Sequence, residues 1–263
     1  MADTGSFTRN TSAIFSSDRE KPNTFLCLAI ASFGTLFLYL LFSRMEYPWN
    51  WRVTWEYRRL YLQGLEYTLA ISVGAICLGL VLGLAGGFAR ISDNAFARET
   101  ARLYVIIFRG TPLLIQIYIF YFCIAAAIYY ENAVVIGTFT LAAFSGAYIT
   151  EIVRAGIESV ERGQAEAALS TGLTRSQALR YVVFPQAVRR IIPPITGQFV
   201  SLIKDSSLLS VISVRELTKS SEVINATTYK TFEAYLPLAF LYLLLTFPLS
   251  HLTQRLERKL KTD

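Results

Sequence analysis

Gln164-Ala165-Glu166-Ala167-Ala168-Leu169-Ser170-Thr171-Gly172, followed by Tyr181-Val182-Val183-Phe184-Pro185, stands between two long apolar stretches. Gln164–Thr171 consists of good helix formers, and Gly163 and Gly172 are placed to bound a short helix. Ala167 and Ala168 offer a surface almost free of side chain, on which the bulkier groups of a separate soluble protein could seat closely. Thr174-Arg175-Ser176-Gln177 matches a capping box and starts a second helix. Pro185, Pro193 and Pro194 punctuate the chain beyond it. The whole insert is about forty residues long, more than a simple connector requires. On periodicity alone it reads equally well as a solvated surface helix, so its meaning depends on its surroundings.

Those surroundings are membrane-like. Of 263 residues, 53% are hydrophobic and only 17% charged, with a mean hydropathy of +0.41. Soluble domains carry about 25% charge, so the deficit points to lipid. Six apolar stretches are long enough to span about 30 Å of hydrocarbon: Phe25–Ser43, Leu65–Ala89, Leu103–Tyr130, Ala133–Val153, Pro194–Ser213 and Phe232–Leu252. The fifth is the weakest, being interrupted by Lys204, Asp205, Ser206 and Ser207. The fold class expected is therefore all-α and polytopic, with about six transmembrane helices. The N-terminal segment does not read as a cleaved signal peptide, because its first apolar run is long enough to span.

Basic residues orient the bundle. The tails and the loops Arg90–Arg102 and Arg154–Arg190 carry 16 Lys and Arg residues, against 7 on the opposite side. The positive-inside rule places both termini and the Glu166 insert in the cytoplasm. Arg52, Arg58 and Arg59 run against this trend, and Trp49–Tyr61 reads as an aromatic interfacial segment on the outer surface. The net charge of +6 is spread over loops and tail rather than gathered in a stripe, which argues against nucleic acid. Gly79, Gly83 and Gly87 recur at four-residue spacing and let another helix approach closely. Cys27, Cys77 and Cys123 lie in apolar spans without a metal-ligand pattern. The one histidine, His251, reads as interfacial, and Arg255–Lys261 as a basic anchor at the inner surface.

The spacing Glu166-Ala167-Ala168, three residues, Gly172, nine residues, then Val182-Val183-Phe184-Pro185 resembles the signature loop of binding-protein-dependent ABC importer permeases. Val182 and Phe184 replace the usual Ile and Leu. Phe108–Leu114, Ser145–Ile157 and Leu202–Leu208 are similar to stretches of the polar amino-acid permease subfamily. The resemblance covers roughly Leu62 to Leu260. It implies a five-helix type I ABC importer core with one helix added in front. The segments expected are a cytoplasmic tail (1–24), the extra helix with the interfacial segment (25–61), and the importer domain (62–254) with its coupling loop (155–192). A basic cytoplasmic tail (255–263) completes them.

The same resemblance implies a permease subunit for polar amino acids in the bacterial inner membrane. Its expected partners are a cytoplasmic ATP-binding subunit, a second permease subunit (identical or different), a periplasmic substrate-binding protein and the lipid bilayer. Glu166, Ala167, Ala168 and Gly172 would carry the contact with the ATPase. The chain has no G-x-x-x-x-G-K-[ST] phosphate loop, so no cofactor is expected and ATP falls to the partner. A secondary transporter or channel for small polar solutes, working without ATP, is the alternative, but it leaves the coupling loop unexplained. A membrane-embedded enzyme would need a motif such as HExxH or GxSxG, and the sequence has neither.

Charges in apolar spans are costly, about 2.5–3.5 kcal/mol each on insertion scales, so they face the interior or pair. Arg109 lies about 9 Å from the cytoplasmic start of its span and Glu151 about 27 Å from the outer start of the next, so the two could meet. Lys204 lies about 15 Å in, near the middle. Asp205 points about 100° away from it and should not pair with it. Arg109, Thr111, Glu151, Lys204, Asp205, Ser206 and Ser207 are the candidates for a substrate path. A structural role in helix pairing is the competing reading for each charge.

Overall fold

The computed structural model describes residues 24–44 and 46–261, which form helices joined by short turns, with no strand among them. The chain divides into two compact units, one ending at Trp49 and one beginning at Asn50. The first contains α1 (Thr24–Ser43). Leu28, Phe33 and Phe37 of α1 are all more than half exposed, an apolar surface suited to lipid. The expected N-terminal tail lies outside the described residues apart from Thr24.

The second unit opens with α2 (Arg52–Glu56), α3 (Arg58–Arg90) and α4 (Ala95–Gly110). Next come α5 (Leu113–Tyr118), running into a π-helical stretch (Ile119–Ala125), and α6 (Ala133–Glu158). The insert forms α7 (Arg162–Ser170) and α8 (Arg175–Ala178), which passes through a second π-helical stretch into α9 (Phe184–Asp205). A 3-10 stretch (Ser206–Ile212), α10 (Leu217–Thr228) and α11 (Thr231–Lys261) complete it.

The centre is the pair α3 and α6, which run parallel. A side chain on Gly79 would strike Ser145 and come 3.2 Å from the Ala142 carbonyl. On Gly83 it would strike Ile149 and come 3.1 Å from the Gly146 carbonyl, and on Gly87 it would meet Val153. The four-residue glycine spacing thus forms one continuous seam. Inside a bilayer, lipid is as apolar as leucine, so close backbone approach and dispersion hold such a pair together. Around the seam, Ile71, Ala75, Leu141 and Ala142 pack with Ile117, Leu202 and Leu209. Toward the end where α3 and α6 terminate, Ile149, Val153, Ile157 and Val160 pack with Val183, Ala187 and Ile191. This second cluster ties the insert to the bundle.

The helices fit the expected count of about six apolar segments, but two of those segments do not run as simple spans. Among the described residues, three helices, α3, α6 and α11, are long and apolar enough to cross a membrane, or four if a bent pair counts as one span. The stretch expected as one span over Leu103–Tyr130 turns by 106° between α4 and Leu113–Ala125. Pro112 causes the break: it has no N–H and forces Thr111 into extended backbone (φ −121°, ψ 145°). The fifth stretch does not begin at Pro194, because α9 starts at Phe184 and carries Pro193 and Pro194 inside it. Its Arg189, Arg190, Lys204 and Asp205 make it too polar to pass as a simple span.

From Asn50 onward, the interfacial segment packs within the second unit. Asn50 donates its backbone N–H to Glu233 at 2.6 Å, and Thr54 donates to the Glu233 carbonyl at 3.0 Å. The Tyr61 hydroxyl donates to the Ala234 carbonyl at 2.8 Å. At the other end of the chain, Arg255–Lys261 forms the last turns of α11.

The seam yields a ranking of substitutions. Gly83→Val should lower the thermal midpoint of the detergent-solubilised protein, with an overpacking cost of about 1–3 kcal/mol. Gly74→Ala should cost clearly less, since its Cβ would meet only the Thr138 methyl at 3.3 Å. Equal midpoints for the two variants would contradict the seam.

Candidate functional site

α7 stands at the end of the bundle where α3 and α6 terminate, stopped by a Schellman motif. The Leu173 N–H donates to the Ala168 carbonyl at 3.3 Å and the Gly172 N–H to the Leu169 carbonyl at 3.0 Å. That closure needs a left-handed residue at the turn, and Gly172 supplies it at φ +88°. The Thr171 hydroxyl donates to the Ala168 carbonyl at 2.8 Å and closes the same turn. Thr174 and Gln177 then form the expected reciprocal cap: the Gln177 N–H donates to the Thr174 hydroxyl at 3.3 Å, and the Thr174 N–H to the Gln177 side chain at 2.8 Å. The helix begins earlier than its glycine boundary suggests, at Arg162, so that Gly163 lies within its first turn.

Exposure sorts the four coupling candidates. Glu166, Ala167 and Gly172 face outward, and Leu169 beside them is 42% exposed. Ala168 does not share that surface, because it is 6% exposed and turned inward. Ala165, three residues earlier on the same helical face, packs against the Val160–Ile191 cluster. The two alanines therefore divide their work: Ala168 lets α7 lie close to its own bundle and Ala167 leaves the outer face low. An Arg175–Asp93 pair at 3.8 Å links the insert to the α3–α4 loop, but both side chains are more than four-fifths exposed, so it stabilises little. Arg190 on α9 also donates to the Ser159 carbonyl at the foot of α6.

The seven path candidates fall into two separate groups. Arg109, Thr111 and Glu151 lie toward the α7 end. Arg109 does not pair with Glu151; its guanidinium lies over the Tyr148 ring at 4.9 Å. Glu151 is instead taken by Arg154, whose Nε donates at 3.0 Å and which also binds Glu158. The i, i+3 spacing within α6 satisfies the carboxylate locally, so no partner from another helix is required. Thr111 donates to the Ile107 carbonyl at 2.9 Å.

Lys204, Asp205, Ser206 and Ser207 form the second group, where α9 tightens into 3-10 geometry. Lys204 is exposed and makes no ion pair with Asp205, as its position on the helix requires. Ser206 is fully buried and donates to the Ile203 carbonyl at 2.7 Å, so its hydroxyl is engaged in its own helix.

Two residues that sequence reasoning passed over hold these groups. Gln116 is 5% exposed, and its amide nitrogen donates to the Phe108 and Thr111 carbonyls and the Thr111 hydroxyl at 2.8, 3.0 and 2.8 Å. It closes the break at Pro112. Glu216 is fully buried and caps α10, accepting the Thr218 and Lys219 N–H groups at 2.8 Å each and the Tyr242 hydroxyl at 3.0 Å. Burial pushes its carboxyl up to about 7, against the opposing pull of those donors. Neither role was readable in the sequence: Glu is not among the usual N-cap residues, and the reach of Gln116 back across a broken helix depends on the fold.

Comparison with known proteins agrees with this architecture. Residues 75–262, more than half of the chain, match the family model described as binding-protein-dependent transport system inner membrane component. The chain is 39% identical over 217 residues to the glutamine transport system permease protein GlnP of Escherichia coli (strain K12), covering 81% of this chain and 98% of that one. It is 37% identical over 202 residues to the probable glutamine ABC transporter permease protein GlnM of Bacillus subtilis (strain 168), covering 77% and 94%. Among solved structures, a crystal structure of an amino acid ABC transporter with histidines superposes with a TM-score of 0.76 at 34% identity, over 81% of this chain and all of that one. An inward-facing MetNI methionine ABC transporter shares the fold, with a TM-score of 0.61 at 20% identity. The chain belongs to the family of binding-protein-dependent transport system inner membrane components, and is the membrane-spanning permease subunit of an ABC importer.

Proposed function

We propose that this permease carries a polar amino acid inward across the bacterial inner membrane, and that a cytoplasmic ATPase subunit drives it by holding α7 in a cleft. The observation that carries this reading is the exposed outer face of α7, with Glu166 and Ala167 uncovered, the helix closed at Gly172, and Ala165 packed against the bundle. A rigid, low-profile helix transmits displacement, whereas a loosely tethered one would absorb it. The cluster Ile149, Val153, Ile157, Val183, Ala187 and Ile191 joins α6 to α9, and Ala165 of α7 and Leu179 just after α8 pack on it, so a pull on the insert would reach two core helices together.

The relatives named for glutamine and for amino acids support the substrate class. The basic loops support an orientation with both termini and α7 in the cytoplasm. A second permease subunit and a substrate-binding protein outside the membrane complete the assembly, which binds ATP through its ATPase subunits. Of the path candidates, Lys204 and Arg109 present exposed cations that could line the path, whereas Glu151 and Ser206 serve structure.

Glu166→Lys should leave the permease folded but weaken its hold on the ATPase subunit by about tenfold or more, the usual scale for reversing a charge at an interface. Co-purification from detergent measures it, and undiminished recovery of the ATPase would refute the docking role. Gly172→Val places a branched residue at φ +88°, at a cost of about 1–2 kcal/mol. Substrate-stimulated ATP hydrolysis in proteoliposomes should fall, whereas Gly163→Ala, with open space at its Cβ, should retain it.

A further inference from the structure

At the end of the bundle opposite α7, a cleft of about 430 Å³ opens between the start of α3 and the turn leading into α10. Leu60, Gln63, Tyr67 and Ala70 form one stripe of α3 along it, with Glu66 on the same side, and Arg215 and Ser220 close it from across. Its size falls in the range that holds small ligands.

Three polar groups in this cleft have unused capacity. Glu66 and Arg215 are both exposed, and neither has an ion-pair or hydrogen-bond partner among the described residues. Ser220 is 2% exposed, yet its hydroxyl has no hydrogen-bond partner. A buried hydroxyl left unsatisfied is costly to the fold, which marks this wall of the cleft as polar. Gly64 makes room for it, because a Cβ there would press on the Ser220 side chain and come 2.9 Å from the Leu217 Cα. A carboxylate and a guanidinium facing one small space without pairing, beside an unsatisfied hydroxyl, match a solute carrying both charges.

We propose that this cleft is an outer subsite for a free amino acid with a neutral polar side chain. Arg215 takes the α-carboxylate, Glu66 takes the α-ammonium, and Gln63 and Ser220 offer amide and hydroxyl groups to the side chain. The pairing consumes one cation and one anion and leaves the cleft neutral. A basic or acidic side chain would bring a charge with no counterpart, which selects against both. The assignment rests on the amino-acid transport reading above and narrows it to the neutral polar class.

The test uses the complete complex in nanodiscs, without the substrate-binding protein, and radiolabelled glutamine as the probe. Glu66→Gln and Arg215→Gln should each weaken glutamine binding by about tenfold or more, the scale of one charge-assisted contact. On the unmodified complex, arginine and glutamate should compete poorly. N-acetylglutamine should bind weakly and be indifferent to Glu66→Gln, and glutamine α-amide should be indifferent to Arg215→Gln. Both substituted residues are exposed, and recovery of assembled complex checks that they fold. Glutamine binding unchanged in both variants overturns the subsite while leaving amino-acid transport standing. Unchanged binding with weakened stimulation by the substrate-binding protein overturns it too, and makes the cleft a protein contact. An unmodified complex that neither binds nor imports any amino acid removes the transport reading itself.

Discussion

Close backbone contact between α3 and α6 is the constraint on which the rest of the structure depends. Lipid gives no net reward for burying one apolar helix against another, so contact distance must supply the stabilisation. Gly79, Gly83 and Gly87 bring one backbone against Ala142, Gly146 and Thr150 of the other. The pair runs parallel, so both helices end at the same side of the bundle. The insert that leaves α6 therefore starts beside the end of α3, and the α7 knuckle stands under the most tightly packed part of the molecule.

That placement gives the chain a mechanical logic. α7 and α8 are short and would not hold their shape alone, since isolated helices of this length are marginal in water. They are shaped by the Gly172 closure, the Thr174–Gln177 box and the apolar cluster around Val153 and Ile191. Ala168 turned inward makes the close seating possible, and Ala167 turned outward leaves the outer surface shallow. The two ends of the bundle differ in chemistry: an ion-paired carboxylate (Glu151) and a capped, projecting helix at one, and unpaired Glu66 and Arg215 around an open cleft at the other.

The charges in apolar segments show how local spacing and tertiary placement compete. Arg109 and Glu151 lie near enough in depth to meet on the arithmetic of straight helices. Arg154, three residues from Glu151 on the same helix, takes the carboxylate first, and Arg109 settles over Tyr148. A helix neighbour at i+3 is always within reach, whereas a partner on another helix depends on rotation, and depth alone says nothing about rotation. The break at Pro112 follows the same logic in reverse. The proline was visible, but the 106° turn is held by Gln116 reaching back to Phe108 and Thr111.

Apolar run length, loop charge and the Glu166–Gly172 spacing determined from sequence alone that this is a helical membrane protein with a short helical insert between its apolar segments. These signals are local, because a helix satisfies its own backbone and a glycine at a left-handed turn has no substitute of equal ease. The glycine seam was legible too, as a spacing, though not its partner. The inward turn of Ala168, the seating of Arg109 over Tyr148, the burial of the Glu216 cap against Tyr242 and the meeting of Glu66 with Arg215 and Ser220 were decided by tertiary structure. Each depends on which helix faces are brought together across long stretches of chain, and on helix rotations that no single segment encodes.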